Sequence, residues 1–336
     1  MMFGAAVRAG GVMTDEEFQR LLAAVTALSP QQTAALQAAL QLNAPDAPAA
    51  EAMAADGTGS VGDIEARFAL APCCPHCQGT SITKWGSANR LKRYRCKPCG
   101  VTFNALTGTP LAQLHKRELW SPHAQALVDG ISLRKVAARL DVHLTTAFRW
   151  RHRFLKSPKT KKAKVLTGTV EADETYFLRS AKGSRKLARP PRKRGGAATK
   201  RGLSYEQVPV LIARDRHRAT TDQILEDRSA ASIAAVLEPL VAKSAILVSD
   251  GAQVYAAFAE SAGVAHVAIN LSSGQHRRGI YHIQNVNNYD SRLKTWMRRF
   301  NGVATKYLDS YLGWHRLNDR EGGKLTASLM LAAAWA

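Results

Sequence analysis

Acid is scarce in this chain. Asp and Glu total 26 against 47 Lys and Arg, giving a formal net charge of +21 and a pI near 10.1. A chain so unbalanced repels itself unless a polyanion neutralises it. Also lacking is any apolar run near the ~18 residues that a membrane-spanning helix needs, and no signal peptide is expected. The basic residues are spread along the sequence and do not flank one anchor. Nucleic acid is therefore the expected partner, a membrane is not, and the expected place is the cytoplasm, on the bacterial nucleoid. Internal repeats are absent. Cysteine is sparse too, but four of the 5 fall in two CxxC pairs, which suits thiols that bind metal in a reducing compartment. With 46% hydrophobic residues over 336 positions, the chain has material for two or three globular units.

Residues 15–42 predict two short amphipathic helices, with Ser29 as an N-cap and Pro30 at the first helical position. A linker rich in Ala, Gly, Pro and Asp follows, so 1–69 is expected to be a helical extension and linker. A cysteine segment occupies 70–106, a helical segment 107–160, and a larger unit 165–320, with 321–336 as a C-terminal tail. In the larger unit, strands are predicted at 165–177, 207–214, 218–224, 245–249 and 265–271. Helices are predicted at 230–242, 252–262, 283–300 and 305–315. Early strands followed by strand–helix alternation describe a multidomain α/β protein with a mixed sheet.

Cys74-Pro75-His76-Cys77 and Cys96-Lys97-Pro98-Cys99 are CxxC pairs, followed closely by Gly79 and Gly100. Each pair aims two thiolates at one point, and a hairpin between them brings the knuckles around one structural Zn²⁺, a zinc ribbon. Cys73 and His76 are not needed. The hairpin itself carries Lys84, Trp85, Arg90, Lys92, Arg93, Tyr94 and Arg95, suited either to a phosphate backbone or to a solvated strand face.

Residues 130–150 have the pattern of a helix-turn-helix. Ser132 caps the first helix, Ala137 allows close crossing, and Val136, Leu140, Val142 and Phe148 form the shared core. Thr145 or Thr146 is expected to open the second helix. On that reading Thr145, Thr146, Arg149, Arg151, His152 and Arg153 lie on or near the helix that enters the major groove of DNA.

Phosphodiester chemistry at two hard cations needs oxygen donors converging from a rigid sheet. Asp173 sits in a strand whose alternation puts Val170 and Ala172 on one face and Glu171, Asp173 and Thr175 on the other. Asp250 ends the apolar run Ile246-Leu247-Val248-Ser249 and precedes Gly251, where open α/β sheets place their sites. It also fits an N-cap for the helix that follows. A third region runs into a helix on which Asn287, Asp290, Ser291 and Lys294 share a polar face. Between the first two, 179–202 is a basic insertion whose Arg179–Arg201 stretch holds ten basic residues and no acid. Its Arg192, Lys193 and Arg194 are candidate DNA contacts.

These residues resemble the DDE-type insertion-sequence transposases, most closely the ISXO2-like family. The resemblance runs from 70 to about 316. Its motifs are the zinc ribbon, the helix-turn-helix, Val-Glu-Ala-Asp-Glu-Thr-Tyr-Phe from Val170, Val-Ser-Asp-Gly from Val248, and His-Ile-Gln-Asn-Val-Asn from His282, with Lys294 seven residues after the last Asn. It implies a ribonuclease-H-like catalytic domain with Asp173 and Asp250 as the first and second catalytic aspartates. Asn287 would stand where many relatives have glutamate, and Lys294 would be the accompanying lysine. Two Mg²⁺ or Mn²⁺ ions on Asp173, Asp250 and Asn287 are implied, with DNA as substrate, both terminal inverted repeats and target, and a homodimer or higher oligomer on that DNA. Asn287 offers a carbonyl oxygen but no charge, so Asp290 and then Glu174 stand behind it as alternatives for the third ligand. Two other functions compete: a DNA-binding regulator without catalysis, and a nuclease without strand transfer.

Overall fold

The computed structural model describes residues 61–335 except 188–189, 191–195, 197 and 201–203. The helix pair expected at 15–42 lies outside the described residues, as do Arg192, Lys193 and Arg194. Residues 55–336 form one compact unit. Among the described residues no helix is long and apolar enough to cross a membrane.

Helix α1 (Val61–Leu70) leads into an antiparallel sheet of β1 (Ile82–Ala88), β2 (Leu91–Cys96) and β3 (Thr102–Asn104). Only Asn89 and Arg90 join β1 to β2, both left-handed at φ 53 and 59, the backbone that matches a two-residue hairpin to the strand twist. Next come α2 (Trp120–Val128), α3 (Leu133–Arg139), α4 (Leu144–Phe154) and α5 (Lys156–Thr160). Helix α5 closes the helical segment expected over 107–160, and its Ser157 and Pro158 are buried.

The larger sheet has strands β4 (Thr169–Leu178), β5 (Gln207–Asp215), β6 (Thr220–Ile224), β7 (Ile246–Ser249) and β8 (Ala265–Ala268), in the order β6-β5-β4-β7-β8. Strands β4, β5 and β6 pair antiparallel, whereas β7 runs parallel to both β4 and β8. This is a five-stranded mixed sheet with β4 at its centre. Strand alternation sorts the faces as expected. Val170 and Ala172 pack with Ile233 and Leu237 of α6 (Ala230–Leu237) and with Tyr255 and Phe258 of α7 (Gln253–Ala262). Phe177, Val208, Val210 and Ile212 belong to the other face, under α8 (Gln284–Arg298) and α9 (Leu308–Arg320).

That second face does not end at the sheet. One apolar cluster joins Leu111, Trp120 and Phe154 of the helical segment to Leu293, Leu312 and Trp314 of the sheet's covering helices. The expected tail at 321–336 instead contains a helix, α10 (Ala327–Trp335), with Met330, Leu331 and Ala334 buried and the Trp335 indole donating to Ala105 O at 2.9 Å. The tail expectation failed for a physical reason: Ala-Ser-Leu-Met-Leu-Ala-Ala-Ala-Trp has no polar face to mark it as amphipathic, because it is buried broadly against α2, α4 and α5.

Arg316 of α9 ties the two halves together. It donates to the carbonyls of Pro158, Lys159 and Lys161 at 3.1, 3.0 and 2.9 Å and forms an ion pair with Asp222 of β6. The crossing of α9 over α5 depends on Gly313, where an added Cβ would lie 2.5 Å from Lys159 Cα and 2.7 Å from Pro158 O. Backbone cannot give way as a flexible side chain can. Gly313→Ala is therefore expected to cost about 1–3 kcal/mol of stability, read as a lower calorimetric midpoint; an unchanged midpoint would contradict so tight a crossing.

Candidate active site and nucleic-acid interface

The four cysteines meet at one end of the small sheet. Cys74 Sγ lies 3.6 Å from Cys99 Sγ, Cys77 Sγ lies 3.5 Å from Cys96 Sγ, and all four sulfurs are within 4.8 Å of one another. A tetrahedral zinc with Zn–S near 2.3 Å has sulfur–sulfur edges of about 3.8 Å, so the donor set fits that ion. Both knuckles are built alike. Gln78 N donates to Cys74 O and Gly100 N to Cys96 O, each at 2.9 Å. The left-handed positions are Gln78 (φ 60) and Gly100 (φ 71); at Gly79 an added Cβ would lie 3.3 Å from Cys77 Sγ. Crowding sets the thiols apart. Burial pushes Cys74 up, but the N–H groups of Cys77 and His76 and the neighbouring sulfurs bring it down to about 7. Cys96 is favoured as thiolate by the Cys99 N–H, yet burial and the other three sulfurs push it up to about 12. Phe68, Tyr94 and Phe103 pack together behind the cluster.

Helices α3 and α4 form the helix-turn-helix. Ser132 Oγ accepts from Lys135 N at 3.4 Å, as a cap should. Helix α4 opens at Leu144, ahead of both threonines: His143 is its N-cap, with Nδ1 accepting from Thr145 N at 3.3 Å. Thr145 and Arg149 are exposed, and Thr146 is half-buried. Three other expected DNA contacts are corrected. Arg151 is 2% exposed, donates to Ile131 O at 2.7 Å and stacks over Trp314. Arg153 donates to Pro110 O and Ala112 O at 2.5 and 2.6 Å. His152 stacks on Tyr307 with centroids 4.0 Å apart. Helical period explains the error, because Ala147, Trp150, Arg151 and Phe154 form the buried face of α4. Arginine there is a packing residue with a charged tip, not a groove contact.

Asp173 lies on β4, and Asp250 immediately follows the parallel neighbour β7. The pairing of Glu171 with Val248, continued two places, brings Asp250, just past the carboxyl end of β7, alongside Asp173 in the middle of β4. Burial raises Asp173 to about 7, and the negative charges of Asp250, Glu174 and Asp290 add to the rise, against the Glu174 N–H that donates to its Oδ1 at 2.8 Å. Among the described residues no lysine or arginine pairs with Asp173 or Asp250. Asp250 Oδ1 accepts from Ala252 N at 3.1 Å, but the N-cap of α7 is Ala252. Glu174 points to the opposite face, buried against Tyr255 OH at 3.0 Å and Arg228 at 3.2 Å. Two other buried acids of the domain have basic partners: Asp319 pairs with Arg214 and Arg292, and Asp222 with Arg316.

Helix α8 carries the third position. Val286, Tyr289, Leu293, Trp296 and Met297 are its buried side, leaving Asn287 and Lys294 exposed and Asp290 half-buried between them. Lys294 Nζ pairs with Asp290 Oδ2 at 2.7 Å. What holds this helix to the sheet is Glu171, which the strand pattern placed on the right face without revealing its role. Glu171 is fully buried. Its Oε2 accepts from Asn285 N at 2.7 Å and Val286 N at 3.1 Å, and its Oε1 from Asn285 Nδ2 at 2.8 Å. Arg216 and His282 approach Oε1 at 3.2 and 3.4 Å. The carboxylate thus meets the unpaired N–H groups and positive end of a helix N-terminus. The available signal was a glutamate in mid-strand, which requires partners.

Comparison with known proteins agrees with this architecture. Residues 165–314 match the ISXO2-like transposase domain, and residues 123–157 match a homeodomain-like domain. The chain is 28% identical over 268 residues to an uncharacterized protein in transposable element ISH50 of Halobacterium salinarum, covering 78% of this chain and 90% of the relative. Solved structures with some likeness include a simian T-cell lymphotropic virus intasome in complex with a PP2A regulatory subunit, at 9% identity and TM-score 0.27, covering 59% of this chain and 68% of that one. A pre-cleavage Mos1 transpososome follows at 14% identity and TM-score 0.21, covering 64% and 79%.

Two outcomes follow from the site. Glu171→Ala leaves buried donors unpaired and is expected to cost roughly 3–5 kcal/mol; a urea midpoint equal to that of the parent would rule out the anchoring role. For Asp173 the carboxyl is raised, so its contribution to folding is complete below the ordinary value of 3.8 and is lost as pH rises through about 7. Without divalent ions, thermal stability should therefore fall between pH 5 and pH 8, and Asp173→Asn should flatten that fall. Equal slopes in both proteins would show that Asp173 ionises normally.

Proposed function

We propose, from the match of residues 165–314 to the ISXO2-like transposase domain, that this chain is a transposase of that family, binds the terminal inverted repeats of an insertion sequence and cuts and joins DNA by divalent-ion-dependent phosphoryl transfer. One observation carries the reading: in a chain of net charge +21, Asp173 and Asp250 stand together without a basic partner while the buried acids Glu174, Asp222 and Asp319 each have one. Acidic groups left uncompensated in a partly buried cleft call for a cation.

Asp173 and Asp250 would hold divalent ions through carboxylate oxygens, Asp250 with the one not tied to Ala252, and Asn287 would add an uncharged amide oxygen. Mg²⁺ or Mn²⁺ bound there would supply Lewis-acid stabilisation of the phosphate and a more acidic water. With its carboxyl near 7, Asp173 gives up its proton readily once a cation is present. Lys294, on the exposed side of α8, is directed to the phosphate of the strand being processed. Thr145, Thr146 and Arg149 read base edges from α4, and the basic insertion at 179–202, with Arg192, Lys193 and Arg194, clamps end or target DNA. Cys74, Cys77, Cys96 and Cys99 hold one structural Zn²⁺ in a zinc ribbon. Beside that ribbon a recess of about 900 Å³ is lined by Asn89, Arg90, His115, Lys116 and Arg117, a surface of the right sign for the flanking duplex. A homodimer or higher oligomer on DNA, in the cytoplasm, completes the proposal.

Labelled terminal-repeat DNA incubated with the protein and Mg²⁺ tests this. Nicking followed by joining is expected; binding alone would make the chain a regulator, and nicking alone a nuclease. Asp173→Ala and Asp250→Ala should each lower cleavage by at least ~10²–10³-fold with DNA binding intact. Arg149→Ala should weaken repeat binding by about 1–3 kcal/mol. Full strand transfer by Asp173→Ala would sink the site assignment.

A further inference from the structure

The turn that joins β5 to β6 holds arginine at a position that suits glycine. Arg214 and Thr220 are the last paired residues of the two strands, Asp215 N donates to Ala219 O at 3.1 Å, and Arg218 N donates to Asp215 O at 3.2 Å. This is a type I turn closed by a left-handed residue, and that residue is Arg218, at φ 72. Any side chain there strains the backbone, whereas glycine does not. Strain kept on an exposed turn points to work done by the side chain. Arg218 lines a recess of about 400 Å³ between the turn and α8, together with Arg214, Arg216, Arg292, Asn285 and Asn288. Arg214 and Arg292 share Asp319, Arg216 pairs with Glu171, and the Asp215 carboxylate accepts from His217 N and Ala219 N of its own turn. Among the described residues the Arg218 guanidinium pairs with no acid and reaches only Asp319 O, at 3.5 Å. Positive charge is therefore in excess. The acids form the floor, with the Asp319 and Glu171 side chains 2% and 0% exposed, against 35% and 45% for Arg216 and Arg292 at the rim.

We propose that this recess binds a phosphate of the DNA backbone, on the flank of α8 turned away from the acidic cleft. Asn285, Asn288 and Arg292 lie at i, i+3 and i+7, and Asn287, Asp290 and Lys294 repeat that spacing two residues later. Two residues are about 200° of helical rotation, so the two triplets occupy opposite flanks of α8, on either side of its buried stripe. DNA held at both flanks straddles the helix, and the recess fixes its register without reading its sequence. Planar guanidinium forks match the paired oxygens of a phosphate better than an ammonium does. Buried acids already pin the forks of Arg214, Arg216 and Arg292, so little order has to be imposed on them when the phosphate arrives. The proposal rests on DNA as the partner and not on the chemistry assigned to Asp173 and Asp250.

The test is the affinity of the full-length protein for a random-sequence duplex, read by fluorescence anisotropy over a salt series without added divalent ions. Neither repeat recognition nor catalysis then enters. Arg218→Gly is expected to lower the slope of log affinity against log salt by about 0.9 and to weaken binding several-fold. Its thermal midpoint should be no lower than that of wild type, because glycine suits the turn; a merely structural arginine would not pair that result with lost affinity. Asn288→Asp, which adds a negative charge at the rim, is expected to weaken binding several-fold as well. Lys243→Gln removes an exposed charge from the connection between α6 and β7 and is expected to leave binding nearly unchanged. A wild-type slope in Arg218→Gly, wild-type affinity in Asn288→Asp, or an equal loss in Lys243→Gln overturns the proposal. Inorganic pyrophosphate that binds wild type but not Arg218→Gly, with the duplex slope the same in both, would assign the recess to a small anion instead. If wild type itself shows no salt-dependent duplex binding, the DNA reading fails as a whole.

Discussion

The arrangement of the catalytic half depends on one buried carboxylate meeting one helix N-terminus. Glu171 projects from the central strand into the start of α8 and accepts the first free N–H groups of that helix. Taken alone, burying a charge there would be strongly unfavourable. The backbone donors, the Asn285 amide, Arg216 and His282 together make it tenable. Because strand side chains alternate, the residue two places on, Asp173, faces the same helix. One contact therefore fixes how the start of α8 sits over the strand that carries Asp173.

Charge is distributed around that contact in a way that isolates the site. Three buried acids elsewhere in the domain are matched: Glu174 by Arg228, Asp222 by Arg316, and Asp319 by Arg214 and Arg292. Such pairs are poor sources of stability but define which groups face which. With the basic side chains committed to them, Asp173 and Asp250 are left to repel each other. Local surplus of negative charge inside a strongly basic protein is a functional feature, since a partner must be brought from outside.

The helix-turn-helix is not tethered loosely to the catalytic sheet. A common apolar cluster, the Gly313 crossing, the Arg316 bridge and α10 join them. Arg151 and Arg153 belong to this junction, which is why they are withdrawn from the DNA-facing side. In the proposed activity, a rigid junction sets how far from the recognised repeat the cut falls, with no hinge needed.

Features that depend on neighbours along the chain were legible from the sequence. The CxxC spacing, the Ser132 cap, and the split of Val170 and Ala172 from Glu171 and Asp173 follow from turn geometry, helix-end hydrogen bonding and the two-residue strand period. Asp173 and Asp250 stood out because an acid on an apolar strand needs an explanation close at hand. Tertiary structure alone decided the rest. That Arg151 is buried depends on Trp314, that Glu171 is an anchor depends on Asn285 and Val286, and that residues 327–335 form a buried helix depends on α2. Each involves partners far apart in sequence, and no local period encodes which charged side chain will find its counter-charge across such a distance.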